Sequence, residues 1–260
     1  MVNGTLRIWN QIRRATGAQA ISLRVLEFAA GLSPGLRNDN CDEVFYVLDK
    51  YWERGGERGH PVRLSERSER TSTVETLVTV FINGWSYEVV HNSGIYLRPG
   101  ETFVVNNPGS DSLVLISSQC PEPESSPAFV SPLTAPSPGS VRPEQSPVVY
   151  LSDRPAVPTA DRWYRVLVDE EVGSTQVTQF VGSIPSGRAP DHFHHYEEVL
   201  VILRGEGRMW AGETNTTIAA GSCIYLPRGQ VHCVENTGTD ELRLLGVFYP
   251  AGSPSVRYDV

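Results

Sequence analysis

The sequence predicts an all-β chain made of two tandem units, and three observations carry that prediction. Val, Ile, Tyr, Gly and Pro recur in short alternating runs bounded by turn residues, whereas helix-period apolar patterns are scarce. Glu43-Val44-Phe45-Tyr46-Val47-Leu48 lines up with Glu198-Val199-Leu200-Val201-Ile202-Leu203, and Tyr96 to Asn107 lines up with Tyr225 to Asn236. Between the copies, residues 121–158 hold ten of the nineteen prolines and many serines, the composition of a stiff linker. The expected division is an N-terminal unit over 1–120, a linker over 121–158 and a C-terminal unit over 159–260.

The elements follow in order. Residues 1–20 are polar and mixed, which predicts a short helix or arm around Ile8-Trp9-Asn10-Gln11-Ile12. Strand character begins at Ile21 to Phe28 and returns in the buried run Glu43 to Leu48. Between its two matching stretches the first unit is 26 residues longer than the second. The surplus, about residues 50–75, is dense in Arg, Glu, Ser and Gly, which predicts a solvated loop; a lid over a neighbouring site is the sharper alternative. Asn83-Gly84, between Thr76–Ile82 and Trp85–Val90, predicts a tight hairpin. Val148 to Leu151 predicts an added edge strand on one barrel, and Leu242 to Tyr249 a last strand.

The chemistry concentrates in Asp191-His192-Phe193-His194-His195-Tyr196-Glu197-Glu198 and in Gly221 to Asn236, which carries His232. On a strand, alternation turns His192 and His194 to the same side, roughly 7 Å apart. With Glu198 and His232 they make three imidazoles and a carboxylate, a donor set for a divalent first-row transition metal. Four such ligands in an octahedral set leave two positions open, as catalysis requires. His195 and Glu197 have the opposite parity and face away unless a bulge intervenes. Tyr196 and Glu197, with His195, are the acid–base candidates. Cys233 is expected to point outward as buried filler. Arg208 and Trp210 share parity and are either surface residues or barrel-lining residues for an anionic or aromatic substrate.

These two stretches resemble the two motifs of the cupin superfamily. Gly187, His192, His194, Glu198 and Gly205 match the first, with four residues rather than five after the leading glycine. Gly221, Pro227, Gly229, His232 and Asn236 match the second, with fifteen residues between Gly205 and Gly221. The resemblance implies two tandem cupin barrels (double-stranded β-helix jelly rolls), the second holding one metal through His192, His194, Glu198 and His232. Fe2+ or Mn2+ is favoured, with Ni2+, Co2+ or Zn2+ as alternatives. In the first copy the aligned positions are Arg37, Asp39 and Phe103, so only Glu43 survives and the N-terminal barrel is expected to be metal-free. Pairing into a homodimer, or a compact pseudo-dimeric monomer, is also implied.

A net charge of −8 disfavours a phosphate backbone as partner, and no apolar run is long enough to span a bilayer. The amino terminus lacks a secretory pattern, and Cys41, Cys120, Cys223 and Cys233 show no framework spacing, so a cytoplasmic protein with free thiols is expected. The function expected is a metal-dependent dioxygenase acting on a small oxygenated aromatic, diketone or keto-acid substrate. The alternatives are a non-redox isomerase or decarboxylase and a non-catalytic ligand-binding bicupin.

Overall fold

Short β-prone runs pair into antiparallel sheets, alternating buried and exposed side chains on peripheral strands such as Glu206–Ala211 and buried on both faces in central ones such as Asp42–Val47 and Thr178–Ile184. The computed structural model describes residues 1–48, 77–124, 127–159 and 161–255. The insertion expected at 50–75 lies outside them. Each unit stacks a large sheet on a smaller one, a jelly roll. In the N-terminal unit the large sheet runs Val2–Asn3, Leu6–Ile12, Leu23–Phe28, Leu113–Cys120, Asp42–Val47, Ser93–Leu97, Val148–Tyr150. In the C-terminal unit it runs Val157–Thr159, Arg162–Val168, Thr178–Ile184, Leu242–Tyr249, Glu197–Arg204, Cys223–Leu226. Gly187–Arg188, His232–Asn236, Glu206–Ala211 and Thr214–Ala219 form the facing C-terminal sheet.

The helix or arm expected near Ile8 is a strand, Leu6–Ile12, paired with Leu23–Phe28. Its register shifts between Asn10 and Ile12. Leu6 and Ile8 enter the N-terminal core, whereas Ile12 lies beyond the shift on the opposite face, in the core between the units. The bulge breaks the alternation and leaves a spacing of apolar residues that imitates a helix. The Asn83-Gly84 turn forms, with both residues at positive φ (50° and 83°) as its hairpin type requires.

The linker is more integrated than its composition predicts. Ala128–Val130 pairs with Gly35–Arg37 in the smaller N-terminal sheet, and Val148–Tyr150 adds the expected edge to the larger one. Val157–Thr159 already belongs to the C-terminal unit.

The two large sheets face each other. Val44, Tyr46, Ile116, Val181, Val199, Val201, Leu245 and Val247 share one buried core, so the outer face of each large sheet is covered by the other unit. Equivalent turns are exchanged across it. The 3-10 turns Arg14–Thr16 and Glu170–Val172 each end on a glycine at positive φ. Behind the first, the Gln19, Ala20 and Ile21 N–H groups donate to Glu197 Oε2 at 3.1, 3.1 and 3.3 Å. From the other side, Arg98 donates to the Val172 carbonyl.

Candidate metal centre

Backbone hydrogen bonds bring the two motifs together. His192 and His232 form an antiparallel bridge, each N–H donating to the other's carbonyl at 3.1 and 2.8 Å. Gly229 N–H donates to the His194 carbonyl at 2.8 Å, from a turn in which Gly229 has φ 76°. The chain bends at His195 and Tyr196 and enters the Glu197–Arg204 strand. The three imidazoles therefore converge, with ligand atoms of His192, His194 and His232 all within 4.8 Å of one another. Glu198 closes the group: its Oε2 lies 3.6 Å from His194 Nε2 and 3.5 Å from His232 Nε2.

The group has the chemistry of a cation site. His192 Nδ1 faces the Pro190 carbonyl at 3.0 Å and His232 Nδ1 faces the Gln230 carbonyl at 2.8 Å. A carbonyl only accepts, so both Nδ1 atoms carry the hydrogen and both Nε2 atoms present lone pairs. Glu198 Oε2 is buried and has no hydrogen-bond partner. A buried carboxylate oxygen without a hydrogen-bond partner is costly unless a cation neutralises it, and three imidazoles with one carboxylate suit a divalent metal, so the residues fit one. Burial first, and neighbouring His232 next, push His192 and His194 down to about 4, which keeps both neutral and able to ligate at neutral pH. Burial acts the same way on His232, but the Glu198 carboxylate, the Gln230 carbonyl and Asp191 together outweigh it and raise that imidazole.

The cluster lines a cavity of about 120 Å³ in the C-terminal barrel. Tyr164, Phe180, Leu200, Val234, Leu244 and Phe248 are among its apolar lining, and Arg162 joins them.

The other expected site residues lie elsewhere. Glu197 faces the N-terminal unit, where it is fully buried and also accepts from the Tyr225 hydroxyl at 3.1 Å. Alternation on the strand turns it away from Glu198 and removes it from the acid–base set. Tyr196 is buried beside the centre, stacked on the His194 ring at 4.7 Å and donating to the Ser253 carbonyl. It positions that imidazole and does not line the cavity. His195 is exposed. Arg208 and Trp210 settle on the outer face of the smaller sheet, while Gly207 and Met209 turn inward. Trp210 donates to Glu235 at 2.8 Å and carries the Arg188 guanidinium on its ring, so neither residue lines the cavity. Cys233 is buried and accepts from Arg188 Nε at 3.1 Å. Arg162 was missed; its two-residue spacing from Tyr164 was the available signal.

In the N-terminal barrel, Glu43 stands where Glu198 stands: it pairs with Leu97 as Glu198 pairs with Leu226. The aligned positions Arg37 and Asp39 need correcting by one residue. Phe103 pairs with Leu36 as His232 bridges His192, so Leu36 and Asn38 are the counterparts of His192 and His194. Arg37 and Asp39 form an exposed ion pair at 2.7 Å. One extra residue between Asn38 and Glu43 causes the slip, which reverses inside and outside. Glu43 is bound by Arg24, Ser117, Asn38 and Gln119, all buried, and Phe103 stacks on Phe45 at 4.5 Å. A guanidinium supplies the positive charge beside this carboxylate. Among the described residues the C-terminal cluster is the one group arranged to hold a metal ion.

Fold and site together give the C-terminal unit the form of a cupin: residues 180–248 match the Cupin domain family, and the described chain has a two-barrel, bicupin fold. It is 36% identical over 70 residues to Auxin-binding protein 1 of Arabidopsis thaliana, a stretch that spans 24% of this chain and 35% of that protein. Among solved structures, it is similar to AerE from Microcystis aeruginosa, with TM-score 0.65 and 13% identity over 95% of this chain and 94% of that one. It is also similar to oxalate decarboxylase from Bacillus subtilis, with TM-score 0.67 and 14% identity over 94% and 71% of the two chains. At these identities the structural likeness concerns the fold.

Proposed function

We propose that this chain is a metal-dependent bicupin enzyme whose C-terminal barrel holds one divalent transition metal through His192, His194, Glu198 and His232. The observation that carries the reading is the partnerless, buried Glu198 oxygen facing two imidazole nitrogens at 3.5 and 3.6 Å inside an apolar cavity. A metal with open positions supplies charge stabilisation for a bound oxygenated substrate and, as Fe2+, a place for dioxygen. The protein's own part is to hold three imidazoles and one carboxylate in place, and to keep bulk water from the reacting atoms with Phe180, Leu200, Leu244 and Phe248.

Dioxygenase-type chemistry on a small aromatic, diketone or keto-acid substrate is the first reading. It is supported by the shortage of proton-transfer groups. Glu197 and Tyr196 are engaged elsewhere, and Ser183 at the cavity wall donates to Glu241. Non-redox decarboxylation is the second reading, favoured by the structural likeness to oxalate decarboxylase. Oxygen consumption by the Fe2+-loaded protein with a panel of such substrates is expected under the first reading. Turnover that proceeds equally well without air selects the second. Ligand binding with no turnover under either condition leaves only a binding protein.

A further inference from the structure

We propose that Arg162 is a carboxylate anchor, so that the substrate of this cavity is a small acid with an apolar body. The inference rests on the metal reading for the far end of the cavity only. Arg162 opens the Arg162–Val168 strand and lies two residues before Tyr164, on the same face, which is the interior of the C-terminal barrel. Its side chain is only 11% exposed and lines the same cavity as the imidazoles. Its partners are meagre for so buried a cation. Nη1 lies 3.4 Å from Asp161 Oδ1, on a side chain that is 59% exposed, and the buried Nε has no hydrogen-bond partner. A guanidinium so nearly buried beside a cavity that Tyr164, Phe180 and Ile184 also line is costly to keep unless an anion completes it, and its fork matches a carboxylate in two hydrogen bonds.

Sheet register sets the ends of the ligand. Glu198 pairs with Phe248, which pairs with Thr178 at one end of its strand. Trp163, next to Arg162, pairs with Ser183 near the other end. Five residues separate Thr178 from Ser183, roughly 16 Å of strand. The anchor and the metal ligands therefore stand at opposite ends of an apolar channel. A carboxylate at Arg162 leaves the remainder of the molecule to run toward the imidazoles.

Calorimetric titration of the Co2+-loaded protein with butanoate, hexanoate, octanoate and phenylacetate, each beside its primary amide, tests this directly. For at least one chain length the acid is expected to bind at least about tenfold more tightly than its amide. Arg162→Gln should erase that preference, and Arg162→Lys should keep part of it. A His192→Ala/His232→Ala variant should lose Co2+, read from the visible absorbance of the bound ion, yet keep the preference for the acid. The anchor is overturned if no acid binds, if acid and amide bind alike, or if Arg162→Gln retains the difference. It is equally overturned if the preference disappears with the metal ligands, which would put the carboxylate on the metal. Failure of wild-type protein to bind Co2+ refutes the metal reading alone, because the acid–amide comparison also runs on metal-free protein.

Discussion

Glu197 and Glu198 are adjacent carboxylates that serve opposite sides of one sheet. Glu198 lies between His194 and His232, while Glu197 accepts three backbone N–H groups from the N-terminal unit. The strand that carries Glu198 into the candidate centre is thus pinned from behind by the other barrel. Asp42 occupies the matching place in the first unit and accepts from Tyr96 at 2.6 Å, as Glu197 accepts from Tyr225.

Glu197→Ala should loosen the union of the two barrels. It strands the buried Ile21 N–H, at about 1–3 kcal/mol, and takes the acceptor from the half-buried Gln19 and Ala20 bonds, so the unfolding midpoint should fall by several degrees. Glu197→Gln keeps an acceptor and should lose less. Thermal unfolding of both variants checks the order, and equal losses would count against the clamp.

Arg24→Leu should destabilise the protein by about 3–5 kcal/mol, because Glu43 would be left as a buried, unpaired charge. Adding Glu43→Leu should recover most of that loss, since no charge then remains to be compensated. Denaturant unfolding of the single and double variants gives the comparison. A double variant as weak as the single one would contradict the charge-replacement account.

Each of His192→Ala, His194→Ala and His232→Ala should weaken Co2+ or Fe2+ binding by about 100-fold or more, a first-sphere loss above the 10–100-fold typical of outer-sphere partners. Substitutions at Arg208 or Trp210 should leave it unchanged, since both lie on the outer face of the smaller sheet. Elemental analysis after dialysis distinguishes the two groups.

Saturating metal should raise the melting temperature, and a chelator should lower it. Binding at 100 times the dissociation constant adds about 2.7 kcal/mol to the folded state. A midpoint indifferent to chelation in purified, metal-analysed protein would remove the centre.

Without metal, the centre should make stability depend on pH. His192 and His194 sit at about 4 in the fold, below the ordinary imidazole value of 6.5. Between those values the unfolded chain binds more protons than the folded one, so their contribution to stability falls as pH drops from 6.5 toward 4. His232, raised, works in the opposite sense. The measurement is the melting temperature of chelator-treated protein against pH, where His194→Gln should flatten the slope.

Much of this was legible in the sequence because period-two alternation and turn chemistry act locally. Asn83-Gly84 marks its hairpin without any tertiary context. Asn236 could be read as a turn residue. It donates to the Ile184 and Asp240 carbonyls and accepts from Gly238, and Asn107 repeats the pattern with Phe28, Asp111 and Gly109. What escaped was non-local. The bulge at Asn10–Ile12 disguised a strand, and one added residue before Glu43 shifted the alignment onto Arg37 and Asp39. Arg162 carries no motif, because its role depends on the barrel that closes around it.

The ion pair between Arg24 and Glu43 has a consequence for how the molecule meets its surroundings. One lobe carries its counter-charge covalently, in a side chain that no scavenger can strip and no competing ion can displace. On the proposed reading the other lobe answers to the supply of dissolved cations, so scarcity of those ions would silence it while its companion kept its shape.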